Sequence, residues 1–229
     1  MSLKTKISLI IALLLWSSAY VGIRAGLQDY SPSGLALLRY IVASICMGLV
    51  YFRLPNRTLM PWRDRLKLLL LGVCGIGLYN IALNYGEVTV TSGVSSFIVA
   101  QVPILTALIA VVFLGEKLDA LRISGFIVSI IGVALITLGS SKGMKWEMGL
   151  TYIVCATLVA SFYSVWQKPF LKRYHAIEVT TYILWGGTLF LLFYLPNLRE
   201  DLWHASLNGT LTVIYLGVFP AAIGYLAWS

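Results

Sequence analysis

Polar positions along this chain are few and bunched. Between them lie eight long runs in which almost every residue is apolar: 7–27, 33–52, 66–85, 91–114, 121–139, 149–167, 177–195 and 210–229. A helix needs about 20 apolar residues to cross a bilayer core of about 30 Å, so each run is read as a membrane span. Backbone polar groups in lipid must be bonded within their own segment, and the spans are therefore expected to be helices. The connections carry the punctuation: "QDYSP" at 28–32, "RLPNRTLMPWRDR" at 53–65, "GEKLDA" at 115–120 and "SSKGMKWEM" at 140–148. Links this short predict helices antiparallel to their neighbours.

Composition supports the pattern. The 229 residues are 59% hydrophobic and only 11% charged, with a mean hydropathy of +0.86. Soluble domains carry roughly 25% charged residues, which excludes that class here. The net charge of +8 would suggest nucleic acid in a soluble protein. In a membrane protein basic residues set topology instead, and no nucleic-acid partner is expected. With the N-terminus in the cytoplasm, the inner side receives Lys4, Lys6, Arg53, Arg57, Arg63, Arg65, Lys67, Lys117, Arg122, Lys168, Lys172 and Arg173. The outer side receives only Lys142, Lys145 and Arg199. This bias predicts an N-in protein of a bacterial-type inner membrane. The basic start and "SSA" have the outline of a signal peptide, but the apolar run continues past the serines and further spans follow.

Little points to covalent chemistry. Cys46, Cys74 and Cys155 lie inside apolar runs without ligand spacing and are read as small core residues. His175 and His204 fall in predicted loops. No metal or cofactor motif and no nucleotide-binding loop is present, and an enzyme would need clustered acids, a His pair or a nucleophile with its base.

The chain carries a weak internal repeat. "LLLLGVCGIGLYNIA" at 68–82 resembles "VIYLGVFPAAIGYLA" at 213–227, an offset of 145. Near that offset "SSAYVGIR" at 17–24 faces "SFYSVWQK" at 161–168. The first predicted span thus maps onto the sixth and the third onto the eighth. An odd number of spans separates the copies, so the second copy is inverted, the pattern of many secondary transporters. The predicted units are 1–139, a five-helix repeat, and 149–229, three spans of its inverted copy. The run ends at "FPAAIGYLAWS" without a polar flank. Two further helices are expected beyond it, in a ten-helix parent truncated here after the eighth.

The stretch "VPILTALIAVVFLGEKLDALRISGFIVSIIGVALI", 102–136, resembles the signature of the drug/metabolite transporter superfamily, EamA type. The matching residues are Pro103, Gly115, Glu116, Gly125 and Gly132. "LLLWSSAYVGIRAGL" is similar to that family's first helix, with Ser17 in place of a glycine and Arg24 where lysine is common. "SPSGLALLRY" is similar to its second, with Arg39 at the basic position. The resemblance implies two inverted five-helix repeats and transport of small metabolites, often export of amino acids or related compounds.

The polar residues inside spans are the candidate pathway, because buried polar groups in lipid are costly and mark function by default. Ser17, Tyr20 and Arg24 share one helix face. Arg24, about 26 Å along its helix, either snorkels to the interface or attracts a substrate carboxylate or an acid. Arg39 lies at a similar depth, with Asp29 and Glu87 as candidate ion-pair partners. Glu87 is also the candidate proton-linked carboxylate. Asn80 and Asn84, at i and i+4, face other helices as glue or as substrate ligands. Gln101 precedes Pro103, which kinks or breaks its helix. Glu116 with Lys117 is a candidate gate or loop ion pair, and Gly125, Gly132 and Gly139 form a packing stripe. Trp16, Tyr20, Tyr79, Tyr163, Trp166 and Trp185 either line a cavity or serve as packing and interface anchors. The expected function is a secondary-active, alternating-access carrier for a small-molecule substrate; the alternative is a non-transporting membrane protein or assembly partner.

Overall fold

The computed structural model describes residues 3–55, 57–115, 124, 125, 127, 128 and 148–228. The regular elements among the described residues are all helical, without strands, joined by short turns. The elements are α1 (Leu3–Gly26), α2 (Pro32–Arg53), α3 (Trp62–Gly72), α4 (Tyr79–Thr89), α5 (Ser92–Val99), α6 (Val102–Leu114), α7 (Met148–Leu171), α8 (Ala176–Leu191), α9 (Leu195–His204), α10 (Leu207–Leu216) and α11 (Gly224–Trp228). Two π-helical segments, π1 (Val73–Leu78) and π2 (Gly217–Ile223), join α3 to α4 and α10 to α11.

Seven helices among the described residues are long and apolar enough to cross a membrane. The sequence predicts eight. The missing one, 121–139, lies outside the described residues apart from Ser124, Gly125, Ile127 and Val128, which are helical. Gly132, Gly139, Glu116 and Lys117 fall outside them too. A count of seven gives no support to a chain cut after an eighth helix. The predicted seventh span also runs on beyond 195: a short 3-10 turn (Leu192–Tyr194) leads into the polar helix α9. His204 therefore ends a helix rather than sitting in a loop.

Both segments aligned by the sequence repeat leave the α-helix at the same place, since π1 and π2 start one residue from the 145 offset. Each is set by small residues under a neighbour. Gly75 lies against the Tyr163 ring and Gly77 against Phe190. Pro220 in π2 lacks an N–H, so the wider turn absorbs a bond the helix would lose anyway.

Glycines set the helix contacts. Gly72 lies against the Ile183 carbonyl of α8, and Gly217 against the Arg39 carbonyl of α2. Without a strong hydrophobic drive between helices in lipid, such close approach supplies the packing energy. Where α2 crosses α8, Ser44 Oγ and Thr188 Oγ1 share a 2.7 Å hydrogen bond and the Trp185 indole donates to the Ser44 carbonyl at 3.3 Å. Cys74 and Cys155 are exposed and Cys46 is half-buried, which corrects the core reading. Lipid-facing and core positions are equally apolar, so hydropathy does not separate them.

Candidate functional site

Charged side chains from α2 and α4 are taken into the bundle. Arg39 is 6% exposed, and Asn80, Asn84 and Glu87 are 0% exposed. Asn80 is placed by π1: its Nδ2 donates at 2.8 Å to the Ile76 carbonyl in the widened turn, leaving Oδ1 to accept from Arg39 Nη1 at 3.4 Å. Asn84, one turn on, donates to the Pro32 carbonyl at 2.8 Å. Glu87 lies a turn further along the helix, within electrostatic reach of both Arg39 and Arg24.

Several atoms of this group are left open. Among the described residues, Arg39 Nε, Asn84 Oδ1 and both Glu87 carboxylate oxygens are buried without a hydrogen-bond partner. No Arg39–Glu87 ion pair forms within 4.0 Å among those residues, so the expected structural salt bridge is not made. Buried charge held this way is costly and needs a function or a ligand to account for it.

Tyrosines surround it. The Arg39 guanidinium lies 5.2 Å from the Tyr40 ring centroid. Tyr20 hydrogen-bonds Tyr79, Tyr225 hydrogen-bonds Tyr40, and the Tyr163 phenol lies near those of Tyr40 and Tyr225. The cluster thus draws on α1, α2, α4, α7 and α11. Tyr40 and Tyr225 escape the sequence reading, although a signal for Tyr225 exists: the 145 offset puts it on Asn80.

Other candidates fall elsewhere. Ser17 is exposed, while its neighbour Ser18 turns inward to Tyr215 at 2.9 Å and Trp16 donates to the Pro220 carbonyl at 3.1 Å. Trp166 is exposed and packs with Phe113 and Phe162 on the outer surface of the bundle. The helix carrying Gln101 and Pro103 is broken: α5 ends at Val99, α6 begins at Val102, and Gln101 Nε2 donates to the Phe97 carbonyl at 3.1 Å. Pro103 itself is exposed. Asp29 is no partner of the arginines but accepts from Ser206 at the start of α10.

Arg24 has a role not weighed from the sequence. Its Nη1 donates to the carbonyls of Glu87, Val88 and Val90, the last at 3.1 Å. These are orphan acceptors at the end of α4, where the helix dipole also favours a cation. Arg24→Gln is expected to cost about 1–2 kcal/mol, the range of a charged hydrogen bond near a helix end. Thermal unfolding in detergent measures this; an unchanged melting temperature would leave Arg24 as an interface anchor only.

At the α8 N-terminus, Tyr174 donates to Asp64 Oδ2 at 2.6 Å, and that bond raises the phenol above its ordinary pKa.

Comparison with known proteins agrees with this architecture. The EamA-like transporter family matches residues 3–138 and 147–229. An "Uncharacterized transporter YdfC" of Bacillus subtilis is 38% identical over 213 residues, 93% of this chain and 69% of that protein. A "Probable terminal-alkyne amino-acid exporter" of Streptantibioticus cattleyicolor is 35% identical over 222 residues, 97% of this chain and 74% of that one. One crystal structure shares the fold with a TM-score of 0.71 at 19% identity, covering 98% of this chain and 77% of its own. The chain is an integral membrane protein and belongs to the EamA-like transporter family.

Proposed function

We propose that this protein is an exporter of a small zwitterionic metabolite, an amino acid or a close relative, working by alternating access with its N-terminus in the cytoplasm. The observation that carries the reading is the buried group of Arg39, Asn84 and Glu87, which leaves open a guanidinium N–H, an amide oxygen and both carboxyl oxygens. Arg39 would take the substrate carboxylate and Glu87 its ammonium, with the tyrosines around them as apolar walls with polar tips. The relative named as an amino-acid exporter supports this substrate class.

Inverted repeats support the mechanism. The paired π segments and the matching contacts Gly72–Ile183 and Gly217–Arg39 relate the two halves by an offset of 144 to 145 residues. In repeat-built carriers the two halves rock about a midplane site. The basic residues at the α2–α3 and α7–α8 connections favour the N-in orientation.

The test is the export profile of cells overproducing the protein, beside an Arg39→Gln variant. Mass spectrometry of the medium is expected to show one zwitterionic compound enriched by the parent and lost with membrane-inserted Arg39→Gln. A compound enriched equally by both would overturn the site; an enriched compound without a carboxylate would overturn the substrate class.

A further inference from the structure

The two ends of the bundle are each closed by a crossed pair of contacts. At one end, α2 begins with the N-cap Ser31 and α10 with the N-cap Ser206. Asp201, which precedes α10, sits on the start of α2: Ser31 donates to its Oδ2 from N–H at 3.1 Å and from Oγ at 2.7 Å. Asp29, which precedes α2, sits on the start of α10 and accepts from Ser206. The glycines there are required by the fit, because a Cβ on Gly34 would meet Asp201 and a Cβ on Gly209 would meet Asp29. Tyr30 and Thr210 hydroxyls add a 2.7 Å hydrogen bond between the connection before α2 and the first turn of α10.

At the opposite end the crossing recurs with the chemistry exchanged. Asp64, in the first turn of α3, is held by Tyr174 and by Arg173 Nη2 at 3.1 Å, both preceding α8. Glu178, in the first turn of α8, accepts at 2.7 Å from the Thr58 N–H, which precedes α3. Here the acids stand on the helices and the donors on the connections. The positions correspond: Asp64 and Gly209 are 145 apart, Gly34 and Glu178 are 144 apart.

We propose that these two crossed clasps are the gates of the carrier, one for each face, and that either face opens only when its own clasp parts. This rests on the alternating-access reading above. Each clasp joins a residue set from the first half of the chain to one from the second, so no relative motion of the halves leaves both intact. Under the Asp29–Asp201 clasp, Leu35 and Val213 are fully buried and both contact the Gly26 position; Arg39 follows one turn deeper along α2. A few charge-assisted hydrogen bonds hold such a gate, yet they lie within reach of a substrate's differential binding energy.

Accessibility tests this without any substrate. In the full-length chain, Cys46, Cys74 and Cys155 are replaced by alanine and Val213→Cys is added as reporter. Intact cells are then treated with a membrane-impermeant maleimide. Labelling of the parent is expected to be slow, and Asp29→Asn with Asp201→Asn is expected to raise its rate about tenfold, the equivalent of losing one charged hydrogen bond. Asp64→Asn, at the other clasp, is expected to leave the rate at the parent value or lower it. Parent-rate labelling in the Asp29→Asn/Asp201→Asn protein overturns the proposal, as does an equal rise with Asp64→Asn, which would mean general loosening. If the aspartate variants do not insert, Ser31→Ala with Ser206→Ala, which keeps both acids, is read in the same way. Unchanged labelling beside intact export overturns the gates alone; clasp-dependent labelling without export upholds the clasps and overturns the carrier reading.

Discussion

Gly72→Leu is expected to remove the folded protein from the membrane. A side chain at this position would run into the Ile183 carbonyl and the Gly187 N–H, both backbone atoms of α8. The contact is reciprocal, since Gly186 of α8 lies against the backbone of Leu69. No rotamer change relieves a clash with backbone, so the α3 and α8 axes have to separate. Overpacking in ordinary cores costs about 1–3 kcal/mol because side chains shift to absorb it. Here that relief is absent, and a cost of about 3 kcal/mol or more is expected. Gly22 offers the comparison. Its neighbour is the tip of the Leu216 side chain, which can turn aside, so Gly22→Ala is expected to cost less than about 1 kcal/mol. Size-exclusion profiles and thermal unfolding in detergent would rank the two. Equal losses would mean that close backbone approach is not what holds α3 to α8.

The membrane helices were legible because burying a backbone in lipid demands long apolar runs, and such runs need no partner to be recognised. What lay across the bundle was not. Arg24 finds its acceptors at Glu87, Val88 and Val90, a separation that helical periodicity does not encode. Ser17 and Ser18 are adjacent and equally polar; only the position of α10, which brings Tyr215, decides which one turns inward. Helix α9 was missed because its residues are polar, so it has no signal as a span and lies at the end of one. The repeat was visible as a faint similarity, but the π turns within it were not: at π1 the rings of Tyr163 and Phe190 lie against Gly75 and Gly77, contacts that cross the bundle. Of the candidate site, the charges were found by their cost in lipid. The tyrosines that complete it were found only in part, because an aromatic residue in a span reads equally well as packing.

Removing the charge of Arg39 while leaving that of Glu87 is expected to have the other large effect. In the parent both are buried and lie within electrostatic reach of each other. Arg39→Met keeps the apolar stem and deletes the guanidinium. It leaves the Glu87 carboxylate buried beside Arg24 alone, whose Nη1 is engaged with the α4 carbonyls. Arg39 and Glu87 form no ion pair, so removing the guanidinium takes away a nearby compensating charge rather than a salt bridge, and a cost of about 1–3 kcal/mol is expected. Adding Glu87→Gln deletes that charge too. The double variant is therefore expected to be more stable than Arg39→Met, with a coupling of about 1–3 kcal/mol. Export is expected to stay absent, since both groups offered to the substrate are gone. Thermal unfolding of the parent, the two single variants and the double variant closes the cycle. Additive losses would show that Arg39 and Glu87 do not sense each other, and the paired site for a zwitterion would fall with that result. A coupled pair whose double variant still exports would separate the two roles, leaving the charges as structural and moving the substrate to the tyrosines.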